Sequence, residues 1–138
     1  MAQQTFKIHG VHTTIANIDK FYTITQKKLA VAMDDVVTRV YYTALYLVPI
    51  GETGHLHDSI WAQIKRRRVW VEGFVGARTR YSAYVELGTS RTRKQPFLWP
   101  AVEQHKAYIY EKLGEGVREA IEATAMYQRR GAIKFGGM

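Results

Sequence analysis

Residues able to take part in proton or metal chemistry gather in the middle of this 138-residue chain: His55, His57, Asp58, Ser59 and, further on, Glu86. In extended backbone His55 and His57 would face the same way and could share a metal. Zinc needs three or four ligands, however, and His9, His12 and His105 have no spacing that completes a set. Polar residues leading into a strand account for the pair more simply. His57, Asp58 and Ser59 hold the residue types of a hydrolase triad. Triad members meet through the fold rather than as chain neighbours, and no Gly-x-Ser-x-Gly elbow is present. Glu86 stands between Val85 and Leu87 with Arg78, Arg80 and Arg91 close in sequence. A structural ion pair explains it better than a general base, because no second carboxylate stands beside it. Gly51-x-x-Gly54 and Gly73-x-x-Gly76 lack the Lys-Ser/Thr ending of a phosphate-binding loop. No catalytic residue, metal ligand or cofactor is assigned, and the chain does not read as an enzyme.

A second constellation is basic. Lys65, Arg66, Arg67, Arg68, Arg78, Arg80, Arg91, Arg93 and Lys94 fall in the middle third against only Glu72 and Glu86. Arginine beside Trp70 and Tyr81 can grip phosphates and stack on bases. The same residues suit a solvated hairpin and loop, or docking on an acidic protein surface. Without a recognition-helix or zinc-finger pattern, any DNA contact would be non-specific. The formal net charge of +8 calls for an acidic partner of either kind.

The elements that must position these residues follow from periodicity. Residues 5–9 alternate apolar and polar (Thr5-Phe6-Lys7-Ile8-His9) before Gly10, which suits a short strand, and a brief extended piece is expected over residues 11–15. Asn17 suits a helix N-cap, and residues 18–47 carry apolar side chains at helical spacing until Pro49 breaks the run. Residues 49–54 read as a turn. Residues 59–66 and 69–75 read as two strands of a hairpin turning at Arg67 and Arg68. Residues 76–80 form a loop, 81–87 a short helix ending at Gly88, and 89–95 an exposed loop. After Pro96, residues 97–127 read as a helix weakened at Gly114 and Gly116, with a bend expected there. The result is one α+β domain over residues 1–128. Its small, mostly antiparallel sheet packs against a long N-terminal helix and a C-terminal helix, and a basic, Gly-rich, mobile tail follows over residues 129–138. The 46% apolar and 23% charged composition is that of a globular chain. No apolar run reaches the ~20 residues of a membrane span, and residues 1–7 do not form a secretory signal. With no cysteine, the fold must be held by packing, or by packing plus assembly.

Three middle segments resemble the small neck proteins of tailed bacteriophages, also called head–tail joining, tail-completion or minor tail proteins. Pro49-x-Gly51-Glu52-Thr53-Gly54-His55-Leu56-x-Asp58-Ser59-Ile60 is similar to that family's proline followed by Thr-Gly-x-Leu-x-x-Ser-Ile. Tyr81-x-x-Tyr84-Val85-Glu86-Leu87-Gly88-Thr89 resembles its Tyr-Ala-x-x-Val-Glu-x-Gly-Thr segment, and Pro96-Phe97-Leu98-x-Pro100-Ala101 its Pro-Phe-Leu-x-Pro-Ala helix start. The resemblance spans residues 6–125. It departs at Ser82, where Ala is usual, and at Gly51-Glu52, where a small residue and Asp are usual. The resemblance implies a virion structural protein that forms an oligomeric ring in the head–tail connector, with DNA passing through. Its implied partners are copies of itself, other phage head-closure and tail proteins and, non-specifically, genomic DNA. Its place would be the virion neck, reached from the host cytoplasm during assembly, with no membrane contact. The motif residues then serve as scaffolding. Gly54 and Gly88 allow tight turns, Pro96 and Pro100 fix the helix start, and Phe97 and Trp99 supply anchoring area. The alternative function is a non-specific DNA-binding protein using the basic hairpin and loop.

Overall fold

The computed structural model describes residues 11–68 and 70–135. Its elements are α1 (Val11–Leu47), α2 (His55–Asp58), β1 (Ile60–Arg66), β2 (Val71–Ala77), α3 (Ser82–Leu87), α4 (Leu98–Gln104) and α5 (Lys106–Phe135). The architecture is the expected α+β one: among the described residues, a two-stranded antiparallel sheet lies along one side of the long first helix and the C-terminal helix along another. The strand expected over residues 5–9 lies outside the described residues.

α1 spans 37 residues, about 55 Å at ~1.5 Å per residue. It starts at Val11, so the expected extended piece over residues 11–15 is helical and Asn17 is an interior residue rather than a cap. The cause is tertiary. α5 runs antiparallel to α1 along most of its length, and contacts step evenly down the pair. Lys20 lies over the Tyr127 ring, Lys28 pairs with Glu119 at 3.1 Å, Lys112 lies 3.4 Å from Asp35, Arg39 stacks on Tyr108, and Thr43 bonds His105 at 2.7 Å. Continuity with a helix packed on α5 from Lys20 onward outweighs the weak strand preference of this segment. α5 likewise continues through Phe135 instead of ending at Tyr127, so the expected separate tail begins as helix. No proline interrupts it there.

The expected bend at Gly114 and Gly116 is absent. The C-terminal helix breaks instead at His105, whose backbone leaves helical geometry (φ −106°, ψ 8°) between α4 and α5. Gly116 has another use: a Cβ there would stand 3.2 Å from Ala32 Cβ and 3.5 Å from the Lys28 carbonyl. Ala32, Gly116 and Ala120 let the two helix backbones approach closely.

The hairpin pairs Ile60 with Ala77 and Arg66 with Val71 and lies along α1. The Gln26 amide donates to the carbonyls of Arg67 and Arg68 and holds the tip. Midway, Gly73 sits so close that a Cβ would fall 2.5 Å from Val37 Cγ2 and 2.7 Å from Met33 Sδ. At the hairpin base, Val75 and Ala77 pack with Tyr41, Leu45 and Leu47 around a core of Val48, Leu56, Ile60 and Phe97.

Gly73→Ala is expected to cost about 1–3 kcal/mol through overpacking, read from the urea midpoint. Combining it with Val37→Ala should cost less than the sum of the two single losses. Strict additivity would mean that the strand and helix do not touch there.

Candidate functional site

The three segments that carry the family resemblance come together at one end of the molecule. α1 stops at Leu47 ahead of Pro49, and the chain turns through Gly54 with φ 65°, a left-handed conformation that favours glycine. A single turn, α2, then delivers Leu56 to the core. Ser59 Oγ donates to the Leu56 carbonyl at 2.8 Å, closing that turn before β1 begins.

From the other side comes α3, whose Val85 packs against the same cluster. Gly88 ends α3 with φ 77°, and a Cβ there would lie 2.9 Å from the Lys94 backbone nitrogen. The loop that follows is held shut. Thr89 donates from its backbone to the Thr92 carbonyl at 2.9 Å, its hydroxyl accepts from the Arg91 and Thr92 N–H groups, and Gln95 N–H donates to the Val85 carbonyl at 2.8 Å. The chain thus returns beside α3 just as α4 starts.

Glu86 joins the second segment to the third. Its Oε2 accepts from the Phe97 and Leu98 N–H groups at 2.8 and 3.0 Å, and Oε1 from the Trp99 N–H at 2.8 Å. These are donors at the start of a helix, which have no partner within it. A carboxylate is well suited to them, because it accepts several bonds and its charge opposes the positive helix end. The expected ion pair with Arg78, Arg80 or Arg91 is therefore replaced by backbone capping, and no cation lies within ion-pair distance of Glu86 among the described residues. Phe97, held by this cap, has no exposed surface.

The other chemical candidates stay apart from that network. His55 and His57 lie in the helical turn α2, not in extended chain, so their side chains project on different sides. His57 Nδ1 instead lies 3.2 Å from the Asp58 carboxylate. With Ser59 bonded to its own turn and Glu86 bonded to α4, neither is presented to a shared reacting atom. Sequence spacing offered no signal for the Glu86 cap, the Gln26 clamp on the hairpin tip or the Thr43–His105 bond, since each joins residues far apart in the chain.

All nine candidate contact cations are exposed, and none lies within ion-pair distance of a carboxylate among the described residues. They form two groups. Lys65, Arg66, Arg67 and Arg68 surround the hairpin tip, where Lys65 Nζ sits 5.2 Å from the Phe74 ring centre. Arg78, Arg80, Arg91, Arg93 and Lys94 belong to the loops beyond the hairpin base, about 20 Å along the strands at ~3.3 Å per residue. Lys112 on α5 is the cation with a raised pKa. The hydrogen bond that Lys112 donates to Asp35 is the main cause and the Asp35 charge the next, so the pair helps the folded state below the ordinary lysine range and fades as pH climbs through the raised value.

Comparison with known protein families, with curated proteins and with solved structures finds no match to this chain.

Glu86→Ala should lower stability by about 1–3 kcal/mol, as expected for three helix-start donors left without an acceptor. Glu86→Gln keeps one acceptor oxygen and should fall between. A denaturation midpoint unchanged in Glu86→Ala would dismiss the cap.

Proposed function

We propose that the chain is a structural subunit of a tailed-bacteriophage neck, assembling with copies of itself into a ring that joins head to tail and lets DNA through. The observation that carries this reading is the convergence of the three resembling segments. They are separated by up to about forty residues, yet Leu56, Ile60, Val85 and Phe97 share one core and Glu86 bonds the helix that Pro96 and Phe97 begin. Their residues build a stiff corner, as scaffolding residues should. In this reading the chain makes and breaks no covalent bond.

A stiff corner with apolar residues outside it is suited to assembly. Leu87 is 77% exposed and Trp99 67%, side by side on α3 and α4, while Tyr46 on α1 is 88% exposed and Tyr42 lies one turn before it. Large apolar side chains grouped on an open surface favour burial against a partner. Contacts between two different surfaces of identical subunits close into a ring when their rotation allows it.

The unpaired cations support a second reading, a non-specific DNA contact. Each group could lie along a phosphate backbone, either in the lumen of the ring or in a free DNA-binding protein.

Light scattering of the purified chain should give a mass several times 15.9 kDa, and Leu87→Glu combined with Trp99→Glu should reduce it. A wild-type monomer that also fails to join purified heads to tails would refute the neck assignment. For the DNA reading, replacing Arg66, Arg67 and Arg68 with Ala should lower the salt dependence of DNA retention by about 3 in log–log slope. Unchanged retention would remove the hairpin tip from any DNA contact.

A further inference from the structure

Among the described residues the sheet has two strands, which leaves one edge of β1 free. Its geometry is fixed by the bonds at either end, Arg67 N–H to the Trp70 carbonyl and Arg78 N–H to the Ser59 carbonyl. In an antiparallel ladder, bonded and non-bonded pairs alternate. Residues 61, 63 and 65 therefore bond to β2, and Ala62, Ile64 and Arg66 turn their backbone N–H and C=O groups outward. Ile64 stands opposite Gly73, which faces α1, so the side chains of Ala62 and Ile64 also lie on the α1 side.

This edge does not open onto flat solvent. It forms one wall of a groove of about 530 Å³, whose other wall is α1 at Ala30, Val31, Asp34 and Val37. Val31 is 71% exposed there. The groove thus offers a row of free backbone groups along one side and, along the α1 side, apolar surface from Ala30, Val31 and Val37 interrupted by Asp34 and Thr38. An extended segment with apolar residues at alternate positions meets both demands.

The chain contains such a segment outside the described residues: Thr5-Phe6-Lys7-Ile8-His9. Phe6 and Ile8 would face the α1 side, leaving Thr5, Lys7 and His9 outward. It cannot reach the groove of its own molecule. Nineteen residues of unbroken helix separate Val11 from Ala30, a rise of about 28 Å at ~1.5 Å per residue. Thr5 lies six residues before Val11, and fully extended chain covers at most about 20 Å over that length.

We infer that residues 5–9 of one subunit add as a third strand to the free edge of β1 in a neighbouring subunit, in the groove between β1 and α1. This deepens the assembly reading and rests on it. The contact joins two different surfaces of identical chains, the kind that closes into rings. It also adds a third strand to the two that the described residues form.

The absence of cysteine makes a direct test available. Full-length Lys7→Cys and Gln63→Cys chains, one carrying a longer tag, are co-expressed and treated with a short bismaleimide. Both positions are on the outward face of the expected three-stranded sheet. A cross-linked product of mixed size is expected, and it should be lost when the Lys7→Cys chain also carries Phe6→Asp and Ile8→Asp. Light scattering of the chain carrying those two Asp substitutions should show a reduced mass. If the wild type is oligomeric but no mixed product forms, the strand addition is wrong while the assembly reading stands. If the wild type is monomeric and no mixed product forms, the strand addition is wrong, and failure to join purified heads to tails as well refutes the assembly reading. Cross-linking only within a chain bearing both cysteines would also overturn the inference, because it would place the segment on its own hairpin.

Discussion

The carboxylate of Glu86 satisfies three backbone donors that the start of α4 cannot satisfy itself. That constraint fixes the angle between α3 and α4, and with it the depth at which Phe97 enters the core. Phe97 in turn touches what α1, α2 and the hairpin base contribute, so one charged group outside the core sets the arrangement of the apolar groups inside it. A bond from Gln95 to Val85 reinforces the same junction two residues before the cap. These polar links join segments of chain that are separate in the sequence.

The rest of the molecule extends away from that corner as a pair of antiparallel helices with the hairpin laid along one side. Small residues set the spacing. Gly116 and Ala32 allow α5 against α1, and Gly73 allows β2 against α1. Polar contacts between the helices are exposed and individually weak, so they act as register marks more than as sources of stability. The register is held by their even succession along the helices. Among the described residues, no second layer covers the outer face of the sheet and no third strand lies beside β1.

Much of this was legible in the sequence. The helical period of residues 18–47, the stop before Pro49, the alternation of Ile60, Ala62 and Ile64 and the glycine after Leu87 each rest on local chemistry, and local chemistry is what a sequence displays. The misreadings share another cause. Residues 11–15 look extended because Thr13, Thr14 and Ile15 are β-branched, yet they continue a helix that is packed on α5 from Lys20 onward. Gly116 looks like a weak point in a helix until Ala32 is found against it. His105 looked unremarkable among five histidines, but its bond to Thr43 marks the helix break. For Glu86 the sequence offered arginines nearby, and proximity in the chain was a poor guide. The residues of the three resembling segments were visible from the start, whereas their shared core became visible only with the fold.

The loop between Gly88 and Gln95 carries Arg91, Arg93 and Lys94 on its surface, the residue types after which trypsin-like proteases cut. Such enzymes draw extended chain into their clefts. This loop is curled around the Thr89 hydroxyl and tied to α3 at both ends, so extending it means breaking those bonds first. Its side chains can thus stay exposed while its backbone is held out of the extended form a protease needs, a durable way to display positive charge.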